Sequence, residues 1–478
     1  MTTTKAKAEI RQSLASAVGQ NACLFEGPGL EPYATDWDGS YQGRPIAVVK
    51  PATTAEVSAL MEASAALNLG IVPAGGRTGL AGGAVTQASE RDCIVLSLER
   101  LNRIREIDPH DFSLVAEAGC VVENVQSAAA EANRLFPIQW GAQGSAQIGG
   151  MLATNAGGIR TLSWGNAREL VLGLEVVLAD GRVLDDLRRV RKDNSGYALR
   201  HLFIGAEGTL GIITAAALRL RPALRRVETA FVAVTGPRAA LDLHERMLES
   251  GADLIAFELL NRYCLEIADK FGNAALPLAL EYPWYVMVEI AAAHPDVPLR
   301  TLMEDSLGAA LEAGEVIDAV LAESEGQRQG IWRLREEVPM VCHKAGPAVH
   351  TDAAVPVSAV PDFIDQVERV IAERWPSGGI YALGHAGDGN IHVSLQAPPE
   401  WSNDYAAWCR FIDGFETAVN DIAVALGGSF SAEHGIGQSK RSAMLRYKDP
   451  VALQLMHELK QTFDPDGRMN PGKVLPAD

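Results

Sequence analysis

The sequence predicts an α+β chain of two or three domains, and three observations carry that reading. At 478 residues it is too long for a single hydrophobic core. Its front half holds two glycine-rich loops, Pro73–Gly83 (PAGGRTGLAGG) and Gly141–Arg160 (GAQGSAQIGGMLATNAGGIR). Its back half, from Glu228 on, alternates strand-like runs with helical ones, the pattern of an antiparallel sheet with helices on one face.

Residues 1–45 read as an adapter, one amphipathic helix followed by a Gly/Pro-rich turn region. Thr53 and Glu56 make a capping-box pattern ahead of Val57, Leu60, Met61 and Leu67 at helical spacing, and Gly70 stops that helix. Ile71 and Val72 form a short strand running into the first glycine loop. Polar spacer follows, then the strand Cys93–Leu98. A nicotinamide-binding Rossmann unit needs strand, GxGxxG and then helix, and a P-loop needs GxxxxGK[ST]; the chain has neither. A strand at Phe112–Ala118 and a helix around Val122–Asn133 precede the second glycine loop. Glu175–Leu178 then runs into a tight turn at Ala179–Gly181. Gly205–Ile213 is a third glycine-punctuated stretch, and a domain boundary falls near 222–228 after Pro222. Beyond it, Phe231–Val234 and Trp284–Ile290 read as strands, and Ala239–Leu248, Leu299–Ala313, Val360–Ile371 and Asn403–Leu426 as helices. Asp449 and Pro450 cap a last helix with Leu455, Met456, Leu459 and Phe463 on one face. Glycine-rich loops let backbone N–H groups crowd onto an anion. One such loop could be a plain turn cluster; two suggest a large phosphate-bearing cofactor gripped from two sides.

Composition narrows the partners. A formal net charge of −18 argues against nucleic acid and against an anionic membrane surface. Six cysteines, none in a CxxC pair, read as reduced and mostly buried thiols. No apolar run approaches the ~18 residues of a membrane span. The N-terminus MTTTKAKAEIRQ lacks the apolar region of a secretory signal. A cytoplasmic location is expected, with peripheral attachment to a membrane partner left open.

The back half concentrates polar chemistry. In GHAGDGNIHV (384–393), a GDGN turn can fold His385 and His392 back to one point. Ile391, Val393 and Leu395 alternate inward and leave His392, Ser394 and Gln396 on the polar face. SAEHGIGQSK (431–440) adds Glu433 and His434. Two imidazoles and a carboxylate with positions left open match a catalytic divalent-metal site. The plainer alternative is two surface histidines and an unrelated acidic loop, and Asp388 is more often a turn former than a ligand. Arg333 and Arg335 are either surface partners of Glu336 and Glu337 or readers of a substrate carboxylate.

Together PAGGRTGLAGG, GSAQIGGMLATNAGG, GAEGTLGIIT, GHAGDGNIH, SAEHGIG and FDPDGRMNPGK resemble, in order, the motifs of the FAD-dependent D-2-hydroxyacid dehydrogenases. That family of vanillyl-alcohol-oxidase-type flavoproteins includes D-2-hydroxyglutarate dehydrogenase, the flavin D-lactate dehydrogenases and the glycolate oxidase catalytic subunit. The resemblance runs from about residue 40 to the C-terminus. It implies a two-part FAD-binding domain over 1–225, a substrate or cap domain with an antiparallel sheet over 226–425, and a segment 426–478 returning to the FAD domain. Pro73, Gly75, Gly76, Arg77, Thr78 and Gly79 would wrap the FAD pyrophosphate. Gly144, Ser145, Ile148, Gly149, Gly150, Thr154, Asn155 and Gly158 would form the second wall. Glu207, Gly208 and Ile213 would line the adenine-ribose or ring side, and Asn470 would return to the flavin. His385, His392 and Glu433 would hold a divalent metal, zinc by analogy. His434 would be the catalytic base, Arg335 would clamp the substrate carboxylate, and Asn390 and His350 would touch substrate. No His or Cys is placed for covalent attachment, so FAD would be held non-covalently.

The resemblance further implies a small D-2-hydroxy acid as substrate and hydride transfer to FAD. The electron acceptor would be an electron-transfer flavoprotein, a quinone or a cytochrome, and a homodimer stays open. Two departures bear on the substrate: Pro339 and His350 stand where the hydroxyglutarate pattern has a hydroxyl residue and a lysine. A lysine is a permanent cation for a distal carboxylate, whereas an imidazole is only partly charged near neutrality. Arg77 stands where Asn is frequent, a change expected to be neutral. The competing classes are an FAD oxidase using oxygen, a non-redox flavoprotein of the same fold, and a zinc hydrolase using His385, His392 and Glu433 alone.

Overall fold

The computed structural model describes residues 4–87, 91–397 and 404–476. The chain divides into two compact units: residues 1–157, 165–223 and 433–478 form the first, and 158–164 with 224–432 form the second. The crossing back falls at Ala432–Glu433 because the chain before it stays tied to the second unit. Ser429 and Ala354 exchange backbone bonds at 2.7 and 3.0 Å, and the Ala432 amide reaches the Asp352 carbonyl at 3.1 Å.

In the first unit, the helix Thr4–Val18 buries Leu14 and Val18 with Val57, Leu60 and Met61 of the helix Thr54–Ala66. The Thr53 hydroxyl accepts the Glu56 amide at 3.1 Å, as the capping pattern predicts. Termination differs from expectation. Asn68 takes the left-handed turn at φ 52°, and the Leu69 amide returns to the Ser64 carbonyl at 2.9 Å. Gly70 instead opens the strand Gly70–Ala74, where a side chain would strike the Cys93 sulfur. That strand and Ala47–Val49 flank Cys93–Ser97 in parallel. A second sheet is antiparallel, in the order 104–108, 113–117, 212–219, 171–177, 183–186. A bulge at Thr214 turns its hydroxyl onto Glu175 Oε1 at 2.8 Å. Glu175 also accepts Thr54 Oγ1 at 2.6 Å and Arg105 Nη2 at 3.0 Å, joining the first helix layer to the second sheet. The last helix, Pro450–Phe463, is capped by Asp449, which accepts the Ala452 amide at 2.9 Å. Phe463 packs edge-on to Phe203, but Leu455 points to solvent, so the predicted apolar face is narrower than its spacing suggested.

The second unit is built on an antiparallel sheet in the order 316–321, 226–234, 284–292, 253–261, 379–385, 390–396, 348–350, with 353–354 also pairing to 390–396. Helices cover both faces rather than one. Pro237–Glu249, Leu299–Glu312, Val360–Arg374 and Tyr405–Ala425 pack on one side. Arg262–Phe271 and Glu325–Val341 pack on the other. The reason is in the strands: Trp284–Ala292 is buried at every position, and an antiparallel strand apolar on both alternations needs two covers. The expected helix start at Asn403 lies outside the described residues. Among these, no helix is long and apolar enough to cross a membrane. Five of the six cysteines are buried thiols, and Cys409 is exposed.

The Glu175 network yields a pH prediction. Burial alone would raise the Glu117 and Glu175 carboxyls, but bonds from Arg103 and Arg105, with those from Thr54 and Thr214 at Glu175, outweigh it and hold both below their ordinary value. Their contribution is complete above the unfolded carboxylate value of 4.5 and is lost as pH falls through the lower folded value. Glu175→Gln should therefore lower the melting temperature at neutral pH and flatten its decline under acid. Thermal melts across that range test this, and parallel acid declines in both proteins would remove the network from acid sensitivity.

Candidate active site

The two glycine loops of the first unit pack backbone against backbone. A Cβ on Gly76 would strike the Ser145 carbonyl oxygen, and one on Gly75 would sit 3.4 Å from Gly150. Gly149 lies against Ala118, its would-be Cβ at 2.8 Å from the alanine methyl, and Gly208 at φ 69° leaves room for the Pro73 ring. Pro73, Gly75, Gly76, Ser145, Gly149, Gly150 and Gly208 are thus brought together. The two loops differ in what they offer. In the second, the amides of Ser145, Ile148, Gly149, Thr154 and Asn155 are bonded to carbonyls of the same unit. In the first, the amides of Gly75, Gly76, Arg77, Thr78 and Gly79 bond to no other described residue. A row of unspent N–H groups suits the pyrophosphate of a dinucleotide, and the second loop has few amides left to offer one.

The other predicted cradle residues play mixed parts. Arg77 holds φ 56°, a conformation Asn adopts more easily, and its guanidinium stacks 4.2 Å from the Tyr33 ring centroid. Thr154 bonds back to the Gly150 carbonyl at 3.1 Å, and Asn155 accepts the Arg168 amide at 3.0 Å. Ile213 is buried opposite Val176, Gly144 is exposed, and Gly158 lies in the second unit. The Glu207 carboxylate accepts the amides of Ile436 and Gly437 at 2.7 and 2.8 Å, and burial raises its pKa. It clamps the C-terminal loop. Asn470 donates to the carbonyls of Gly83 and Glu207 at 3.0 and 2.7 Å, while its buried Oδ1 has no partner. That acceptor fits a donor such as a flavin ring N–H.

In the second unit, the hairpin Gly379–His385/Asn390–Gln396 sets the histidines. Leu383 pairs with His392, and His385 lies two residues beyond Leu383 on the same strand. Both imidazoles therefore share one face on a diagonal, with ring centroids 5.8 Å apart. Ile391, Val393 and Leu395 are buried on the opposite face, as predicted. Glu433 follows Ala432, the residue bonded to Asp352, and ligand atoms of His385, His392 and Glu433 all lie within 4.8 Å of one another.

Two carboxylates that sequence reasoning missed support the rings. Glu258 is fully buried on the adjacent strand, and its Oε1 lies 2.6 Å from His385 Nδ1. Its Oε2 accepts Arg335 Nε at 2.8 Å. Burial would raise this carboxyl, but the charges and bonds of His385 and Arg335 bring it down to about 2. Asp352, also buried, has Oδ1 4.0 Å from His392 Nδ1. With Nδ1 engaged, His385 can ligate only through Nε2, the arrangement that second carboxylates impose on metal-binding histidines. Both acids carry a signal: each interrupts an apolar run, LIAFELL and TDAAV.

Arg335 is joined to the triad through Glu258 rather than held in a surface pair with Glu336 or Glu337. Pro339, one turn later, removes the amide that would bond the Arg335 carbonyl. Asn390 donates to the Ala353 carbonyl at 2.9 Å, and its buried Oδ1 is unpartnered. His350 is exposed with Nδ1 2.7 Å from Ser394 Oγ, two residues along the strand from His392. His434 is half-buried directly after Glu433.

Residues 45–186 match the FAD binding domain family, and 223–474 match the FAD linked oxidases, C-terminal domain. Over 464 residues the chain is 35% identical to a D-2-hydroxyglutarate dehydrogenase of Xanthomonas citri pv. viticola, spanning 97% of this chain and 96% of that one. It is 36% identical over 454 residues to mitochondrial D-2-hydroxyglutarate dehydrogenase of Rattus norvegicus, spanning 94% and 81%. The chain belongs to the FAD-dependent D-2-hydroxyacid dehydrogenases. Solved structures show the fold to be of the vanillyl-alcohol-oxidase type. p-Cresol methylhydroxylase superposes with a TM-score of 0.74 at 16% identity, covering 98% of this chain and 97% of that one. Alkyldihydroxyacetonephosphate synthase gives 0.74 at 14%, covering 97% and 84%. A dehydrogenase of this family needs a small-molecule substrate and an electron acceptor.

Because a Cβ at position 76 meets backbone, Gly76→Ala should part the loops and cost the dehydrogenase its FAD. Gly79→Ala, where a Cβ meets nothing within 4 Å, should retain it. Flavin absorbance per mole of purified protein decides between them, and equal FAD content in both variants would count against the first loop as the anion reader.

Proposed function

We propose that this dehydrogenase oxidises a D-2-hydroxy acid, D-2-hydroxyglutarate foremost and D-lactate or a related acid next, to the corresponding 2-oxo acid. The observation carrying the site is the convergence of His385, His392 and Glu433, with Glu258 fixing the first imidazole. The relatives that match over nearly the full chain carry the substrate. Bound FAD supplies a two-electron acceptor for the Cα hydrogen, and a divalent cation, zinc by its two-imidazole, one-carboxylate donor set, supplies a Lewis acid.

The chain's own residues do the rest. His385, His392 and Glu433 hold the cation in one orientation. His434 takes the proton of the substrate hydroxyl as general base, a role typically contributing ~10²–10⁴-fold. Arg335 keeps Nε on Glu258 and binds substrate carboxylate through its terminal nitrogens, in the planar fork suited to that group. Asn390 Oδ1 accepts a substrate or water proton, and His350 stands at the rim.

His434→Ala should lower kcat by roughly 10²-fold or more with FAD still bound. EDTA should abolish turnover, and zinc or another divalent ion should restore it. Flavin bleaching by D-2-hydroxy acids under anaerobic conditions measures both. Turnover indifferent to chelation and to His385→Ala would remove the metal role, and normal turnover in the His434 variant would remove the base.

A further inference from the structure

We propose that Glu258 is a positioning residue that serves the cation and the substrate at once, holding His385 for the one and Arg335 for the other. The proposal rests on the metal-assisted dehydrogenase reading above and adds a single side chain on which both binding events depend. A bulge aims that side chain. The strand Asp253–Asn261 shifts register against Trp284–Ala292 between Leu254 and Ala256. Leu254 packs in the layer of Leu243 and Met303, whereas Ala256, two residues on, packs in the layer of Leu334 and Val338. Strict alternation would keep both on one side. The extra residue turns Glu258 toward the helix Glu325–Val341 and His385, and bulges recur where a strand must re-aim a functional group.

The chemistry of the contact makes the acid hard to replace. An ionised carboxylate only accepts, so Nδ1 of His385 carries the proton at their 2.6 Å contact, and Nε of Arg335 donates at 2.8 Å. His385 is left with Nε2 for a cation, and Arg335 keeps its terminal nitrogens off this acid. An amide in the same place has one acceptor and one donor, so it could satisfy only one of the two N–H groups.

Glu289 is the internal comparison. It is buried as deeply on the neighbouring strand, and it accepts from Thr229, Trp332 and Arg328. None of these is a proposed metal ligand or substrate group, so Glu289 ties helix to sheet without serving the site.

The test uses the FAD-loaded enzyme with Glu258→Ala, Glu258→Gln and Glu289→Gln. Zinc affinity is read by competition with a chelator of known strength, and substrate binding by KM for D-2-hydroxyglutarate at saturating zinc. Glu258→Ala should weaken zinc about 10- to 100-fold and raise KM on the order of tenfold. Glu258→Gln should retain at most one of the two properties. Glu289→Gln should lower the melting temperature and leave both unchanged. FAD content establishes that each variant is folded; should Glu258→Ala fail that check, the near-isosteric Glu258→Gln carries the test. Loss of only one property in Glu258→Ala, no loss in Glu258→Gln, or equal losses in Glu289→Gln would overturn the dual role of Glu258 while leaving the dehydrogenase reading intact. A wild-type enzyme that binds no zinc, or is inactive on the acid, would overturn that reading itself.

Discussion

The candidate site depends on one buried carboxylate. Glu258 sits at full burial on an otherwise apolar strand, where an unpaired charge would cost several kcal/mol. It persists because Arg335 and His385 meet its two oxygens from different elements, a helix and the neighbouring strand. The constraint works in both directions. The acid needs both partners, and each partner is thereby fixed: the guanidinium through Nε, the imidazole with Nδ1 inward. Sheet register is equally bound. A one-residue slip of Gly379–His385 would turn His385 into the apolar layer that holds Ala382 and Ala386. The covering of both sheet faces follows, because the polar row of Thr229, Glu289, Glu258 and His385 lies under helices and not in water.

The first unit solves a different problem with backbone alone. Its loops approach too closely for side chains, and a third segment closes over them. A Cβ on Gly437 would strike the Ala81 carbonyl oxygen, and the Gln438 amide bonds that oxygen at 2.8 Å. Glu207 then locks Ile436 and Gly437 from the other side. The first loop's amides are left unspent because the rest of the cradle saturates itself. Glycine here serves packing as much as unusual dihedrals: Gly75, Gly76 and Gly149 have ordinary φ.

What could be read from the residues was what lies close in sequence. The glycine loops, the Thr53 cap and the pair His385/His392 sit within one turn or hairpin, so spacing and turn chemistry place them. Glu433 was joined to them by the chemistry of its donor set, with a surface acidic loop left as the plainer alternative, because no local spacing connects it to the hairpin. Glu258 needed the fold, since 127 residues separate it from His385. The sequence reading passed over it and Glu289 in WYVMVEIAA, although each is an acid standing where a buried strand tolerates none without partners. The expectation of helices on one face failed because the strand Asp253–Asn261 and the helix Arg262–Phe271 went unrecognised, and with them the second apolar layer. The last helix was placed correctly but its apolar face overdrawn, since spacing alone cannot tell a covered leucine from Leu455.

The same helix explains why substrate choice cannot be read from arginine positions alone. Arg328, Trp332 and Arg335 recur at helical spacing along Glu325–Val341, and each donates to one of the two buried acids. Their first duty is to neutralise the sheet. A charged side chain already meeting a protein carboxylate has fewer donors to offer a substrate, and moving it would expose a buried charge. The groups the scaffold leaves unspent are the terminal nitrogens of Arg335, which are donors, and the Oδ1 of Asn390, which is an acceptor. Pro339 and His350 make no bond to Glu258, so substitution at either position leaves the Arg335–Glu258–His385 support in place.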